Sequence, residues 1–178
     1  TEEDIRSALE ADDKEYYTAQ FAALCDLAAQ YGLTVNLEFV TWAGVWNLGG
    51  ALELLNTVKR PNARLMVDTL HTWRSKVSVE ELASCPKDLF DMAHICDGPA
   101  EIPARDDKEA LIYTGRDARY YVGEGAINIA DMVKALRPDT VLSIELPHLA
   151  RVEKYGYTEH ARRCLETAKE YLKSNGAE

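Results

Sequence analysis

Apolar and polar positions alternate along the chain with two periods that take turns. Phe21, Leu24, Cys25, Leu27 and Ala28 recur at helical spacing and predict a helix over residues 2–31, with Gly32 as its stop. Residues 34–40 (TVNLEFV) alternate with period two and predict a strand. Residues 47–60 predict a helix ended by Pro61, and residues 64–69 (RLMVDT) a second strand. Ser78 and Glu81 have the spacing of a capping box, so a short helix begins there. A third strand is expected within MAHIC at residues 92–96, followed by a long polar stretch over residues 97–119. A helix over residues 128–136, a strand over residues 141–146 stopped by Pro147, and a last helix over residues 157–173 complete the pattern.

Strands that alternate with helices pair in parallel and are joined by right-handed crossovers. Two α/β architectures fit that order: part of a (β/α)8 barrel, or a small doubly wound sheet. No internal repeat or linker divides the chain, so residues 1–178 read as a single domain.

Side chains along a strand point alternately to its two faces. In the first strand Val35, Leu37 and Phe39 oppose Asn36 and Glu38. In the second, Leu65 and Val67 oppose Met66 and Asp68; in the third, Ala93 and Ile95 oppose Met92 and His94. In the fourth, Leu142, Ile144 and Leu146 oppose Ser143 and Glu145. Each strand thus has an apolar face and another face carrying one metal-capable group near its C-terminal end: Glu38, Asp68, His94 and Glu145. One such carboxylate is ordinarily a helix cap or loop anchor. Four in phase favour a metal site, because a charge inside a barrel is costly unless paired or ligated. Three carboxylates and an imidazole suit Mn²⁺, Mg²⁺, Co²⁺ or Zn²⁺.

Composition narrows the setting. The 178 residues are 47% hydrophobic, which is enough to build a globular core. The formal charge of −10 argues against nucleic acid as a partner. The apolar runs are too short for a membrane span. Cys25, Cys85, Cys96 and Cys164 are irregularly spaced without a CxxC pair, so the expectation is reduced thiols in a cytoplasmic protein.

The segments LEFV (37–40), LMVDTLHTWRS (65–75), HICDGP (94–99), RYYVGEGAINIADMVKAL (119–136) and LSIELPH (142–148) together resemble the sugar phosphate isomerase/epimerase family. These are xylose isomerase-like TIM barrels, a group that also includes endonuclease IV. The likeness runs from about residue 21 to 172, and the order of the segments is specific where any one alone is weak. It implies one divalent ion, Mn²⁺ first among the candidates, held by Glu38, Asp68, His94 and Glu145. Glu38 and Glu145 would double as acid and base. It also implies substrate contacts from His71 and from Arg119, with Arg116 as competitor for the second.

The implied reaction is isomerisation or epimerisation of a sugar or sugar phosphate. A cation stabilises the enediolate while one glutamate removes a proton and the other returns it. The DNA-repair branch is disfavoured, since few histidines are available for a three-metal site and the charge is negative. Around DTLHTWRS and ICDGP the chain is also similar to 3-dehydroshikimate dehydratases. In that alternative, a lyase, His71 would be the base and the substrate a polyhydroxy acid. A non-catalytic binding module is the third reading, and the intact ligand set speaks against it. Trp42, Trp46 and Trp73 are candidates for pocket walls.

A barrel of this type needs roughly 250 residues, whereas four strands are counted here. They resemble strands five to eight. The expectation is the C-terminal half of a TIM barrel: a fragment of a longer chain, starting within a helix and without Met, or a half-barrel that pairs as a homo-oligomer.

Overall fold

The computed structural model describes residues 13–177. The N-terminal part of the expected 2–31 helix lies outside them, and the described helix is α1 (Lys14–Ala29), capped by the Asp13 side chain. Then come β1 (Val35–Glu38), α2 (Leu48–Val58), β2 (Ala63–Asp68), α3 (Thr69–Arg74) and α4 (Val79–Ser84). A 3-10 turn (Lys87–Leu89) leads into β3 (Met92–Ile95), α5 (Lys108–Asp117), α6 (Ile129–Ala135), β4 (Val141–Ile144), α7 (Leu149–Tyr155) and α8 (Tyr157–Ser174). The capping box forms as the sequence indicates, with Ser78 and Glu81 each bonding the other's backbone N–H. No helix among the described residues is long and apolar enough to cross a membrane.

The four strands pair in parallel in the order β1-β2-β3-β4. Each crossover is long enough to carry helix, as parallel pairing requires. One face of the sheet presents Leu65, Val67, Ala93 and Ile95, all essentially inaccessible, to a core that includes Leu70, Leu82, Phe90 and Ile129. Helix α2 adds Leu48, Ala51, Leu54, Leu55 and Val58, a stripe repeating every three or four residues. On the other face Asn36, Met66, Met92, His94 and Ser143 remain partly exposed. The four cysteines are buried and free.

Three helices were not indicated by the sequence pattern. The polar stretch 97–119 contains α5, started by the Asp107 side chain, which accepts from the Ala110 N–H. Only Leu111 and Gly115 are buried in it, too few to show a period. Helix α3 begins on the residue after β2 with no intervening turn, and α7 buries nothing. The first strand stops at Glu38 rather than Val40, because the Val40 N–H bonds back to the Val45 carbonyl and turns the chain.

After β3 the chain is knotted around Asp97, which is 1% exposed. Its Oδ1 accepts from the N–H groups of Gly98 (2.8 Å) and Ile127 (3.0 Å). Its Oδ2 accepts from Gly123 (3.0 Å) and Gly125 (2.9 Å). Gly125 is required, since a Cβ there would lie 2.1 Å from the Gly98 carbonyl oxygen and 2.4 Å from Asp97 Oδ1. The Asp97 backbone also exchanges two hydrogen bonds with Tyr120, which fixes the position of neighbouring Arg119.

Candidate metal centre

The strand register brings the four in-phase residues to one end of one face. Asp68 lies opposite His94 in the β2–β3 pairing. Glu38 pairs with Met66, two residues before Asp68, and His94 pairs with Ser143, two residues before Glu145. Steps of two keep all four on the same face. Their ligand atoms lie within 4.8 Å of one another. Asp68 is fully buried, while the side chains of His94, Glu38 and Glu145 are 20%, 28% and 41% exposed, so the centre is open on one side.

The local contacts are unequal. Asp68 Oδ1 accepts from the Leu70 N–H (2.8 Å) and the His71 N–H (3.2 Å), so the carboxylate caps α3. Its Oδ2 takes Arg119 Nη1 at 2.6 Å. That nitrogen is also 3.0 Å from Glu145 Oε2, and Arg119 Nε donates to the Gly115 carbonyl at 2.7 Å. His94 Nδ1 stands 3.1 Å from Glu145 Oε2 and 3.5 Å from Glu38 Oε1. Neither contact is a directed hydrogen bond: Glu38 Oε1, His94 Nδ1 and Glu145 Oε2 are all buried and unpartnered in that sense.

These surroundings set the charges. The adjacent Glu145 and Glu38 carboxylates raise His94 to about 10, against the effect of burial. His94 in turn is the main reason that Glu145 falls to about 2. Burial pushes Asp68 up to about 6 although Arg119 pulls the other way. His71 is lowered to about 3, by burial and then by Arg119 and Arg74, and is neutral at ordinary pH.

His71 and Arg119 lie beside the centre. Both line an opening of about 410 Å³ together with Glu38, Glu145, Trp42 and Arg116. His71 is 2% exposed, with Nδ1 3.3 Å from Thr41 Oγ1 and its ring edge-on to Trp42 at 4.9 Å between centroids. Arg119 is 3% exposed, whereas Arg116 is exposed on the same wall. Of the other tryptophans, Trp46 borders a separate cavity and Trp73 packs on the core. Sequence reasoning missed Asp97, whose signal was an Asp-Gly pair followed by a glycine-rich GEG. It also missed Thr41, which carries no sequence signal.

The donor set fits a divalent ion. Three atoms without directed hydrogen bonds converge with an Asp68 oxygen that Arg119 already holds, and all four are of types that bind a hard or borderline cation.

Comparison with known proteins gives a consistent picture. Residues 3–172 match the family model described as xylose isomerase-like TIM barrel. Over 148 residues the chain is 30% identical to the inosose isomerase of Bacillus subtilis (strain 168), covering 82% of this chain and 50% of that protein. The chain spans about half the length of the curated relatives it matches. The crystal structure of the IolI protein with a bound zinc atom aligns with a TM-score of 0.74 at 24% identity, over 89% of this chain and 55% of that one. The probable 3-DHS dehydratase AsbF of Bacillus anthracis aligns with a TM-score of 0.64 at 21% identity, over 94% and 58%.

Proposed function

Because the chain belongs to the xylose isomerase-like TIM-barrel family, we propose that it carries the metal centre of a sugar or sugar phosphate isomerase/epimerase. Glu38, Asp68, His94 and Glu145 are the ligands on this reading, and Glu38 and Glu145 are also the acid and base. The observation that carries it is the convergence of Glu38 Oε1, His94 Nδ1 and Glu145 Oε2, buried and without directed hydrogen bonds. A divalent ion bound there would polarise a substrate carbonyl and stabilise the negative charge that develops as the neighbouring C–H loses its proton. Mn²⁺ is the first candidate from the ligand types; the zinc in the IolI structure supports a divalent ion more generally.

The protein's own groups divide the remaining work. Glu38 and Glu145 come from the two outer strands and flank Asp68 and His94. One removes a proton from carbon and the other returns it from the opposite side, which inverts the centre. Return to the neighbouring carbon gives aldose–ketose exchange instead. Arg119 holds Asp68 and Glu145 in place, and exposed Arg116 on the same wall is available to substrate oxygens beside His71. The strands correspond, on this reading, to strands five to eight of the barrel, and groups that select the substrate would lie on the other four.

A second reading keeps the same centre and expels water from a dehydroshikimate-like acid. The position of His71 favours it: the ring lines the opening beside Glu38 and Glu145, where a further proton acceptor would stand, although its lowered pKa makes it a weak base. One experiment separates the readings. The purified protein is assayed for bound metal, then screened with Mn²⁺ for polyol isomerisation, for epimerisation and for dehydration of dehydroshikimate. Isomerase or epimerase turnover that vanishes in Glu38→Gln and in Glu145→Gln supports the first. Retained turnover in either variant, or a protein that binds no divalent ion, sinks it.

A further inference from the structure

A second cavity, of about 380 Å³, opens between the turn after β1, the end of α3 and the loop that precedes α5. Its lining includes Arg74, Lys76 and Arg105, with Thr41, Trp46 and Ser75, and contains no carboxylate. Asp106 and Asp107 follow Arg105 in the chain without lining it. In a protein of net charge −10 the overall field repels anions, so three cations around one hollow are a local construction.

Arg74 is the informative member. It is 6% exposed, and among the described residues it has no carboxylate partner. Its Nη1 donates to the Leu111 carbonyl at 2.9 Å, and its Nη2 is buried with no hydrogen-bond partner. A buried guanidinium is normally paired, because desolvating the charge is costly. Burial first, and the Arg119 charge second, lower its pKa, and the more distant Asp68 carboxylate offsets them only in part. Lys76 and Arg105 are exposed and make no ion pair among the described residues. Arg105 stands over the Trp46 ring, its Cζ 4.5 Å from the centroid, which holds the guanidinium at the rim.

We infer that this cavity binds a phosphate group. Two arginines and a lysine around a hollow present both the fork that grips two oxygens and a mobile point charge, the combination that suits a dianion. One pair of side chains separates the cavity from the opening over the metal centre: Thr41 lines the cavity, and its hydroxyl lies 3.3 Å from Nδ1 of His71, which lines the opening over Glu38 and Glu145. Resting on the reading of that centre as catalytic, the phosphate belongs to the substrate. This narrows the substrate class to phosphorylated polyols or sugars.

The test has two parts. Inorganic phosphate is titrated by calorimetry into protein stripped of metal with EDTA, with ionic strength held constant by chloride. Saturable binding is expected, weakened at least about ten-fold in the Lys76→Gln/Arg105→Gln double variant. Both side chains are exposed, so folding should survive, and an unchanged melting temperature checks this. Absence of saturable binding, or binding equal in the double variant, overturns the site. Because this titration contains no divalent ion, it is independent of the metal centre's function. In the second part, the double variant should raise KM for a ketose phosphate while leaving kcat and the KM for the unphosphorylated ketose unchanged. If both KM values move alike, the assignment to substrate is overturned and free phosphate is the ligand.

Discussion

Two acidic sites of this chain, the one around Asp97 and the one formed by Glu38, Asp68, His94 and Glu145, are built in opposite ways. Asp97 has four backbone N–H donors shared between its two oxygens. Nothing is left over, and its neighbours are held in one conformation. In the centre formed by Glu38, Asp68, His94 and Glu145, three polar atoms converge without directed hydrogen bonds. A buried polar group satisfied by its own chain holds structure, whereas converging groups left unsatisfied are arranged for something the chain does not supply. Asp68 belongs with Asp97 in this respect, since both its oxygens accept hydrogen bonds, and the contrast rests on Glu38, His94 and Glu145.

Four substitutions break or sharpen this contrast. The largest effect is expected on turnover: Glu38→Gln or Glu145→Gln should lower kcat by about 100- to 10,000-fold, read by steady-state kinetics at saturating metal. Next is Asp97→Ala, which strands four backbone donors, those of Gly98 and Ile127 buried and those of Gly123 and Gly125 nearer the surface, and should cost about 2–4 kcal/mol in denaturant unfolding. A loss below about 1 kcal/mol would mean that water replaces the carboxylate and that the knot is dispensable. Gly125→Ala forces a methyl group against the Gly98 carbonyl oxygen and should cost about 1–3 kcal/mol. The smallest change is expected where the contrast is sharpest. Glu38→Gln in metal-free protein should shift stability by less than about 1 kcal/mol, because its contacts are partly exposed and undirected. The same variant should abolish the rise in melting temperature that a divalent ion gives the unaltered protein.

What the sequence disclosed follows from the same distinction. A period of two is a property of the strand itself, so Glu38, Asp68, His94 and Glu145 could be placed on one face before any contact was known. The fold class followed from the alternation of the two periods. Contacts made across the chain were hidden. Arg119 reaches Asp68 over 51 positions, and nothing local to either residue announces the pair. Asp97 was overlooked for a related reason: its partners are backbone N–H groups, which every residue but proline carries, and only the glycines around it hinted at them. Helix α5 escaped because its exposed surface is polar nearly all round, leaving Leu111 and Gly115 as its buried positions. Nothing in the sequence around Arg74 marks it; that it is buried without a carboxylate partner among the described residues emerged only in three dimensions.

Asp68 serves two masters. One of its oxygens starts α3 by accepting hydrogen bonds from the Leu70 and His71 amides, so the residue would be retained by any descendant of this chain that kept the helix, whether or not it kept the chemistry. Among the described residues, Glu38 and Glu145 hold no backbone with their side chains. When related chains are sorted into active enzymes and silent copies, the aspartate is therefore a poor witness, and the two glutamates are the residues whose loss would testify.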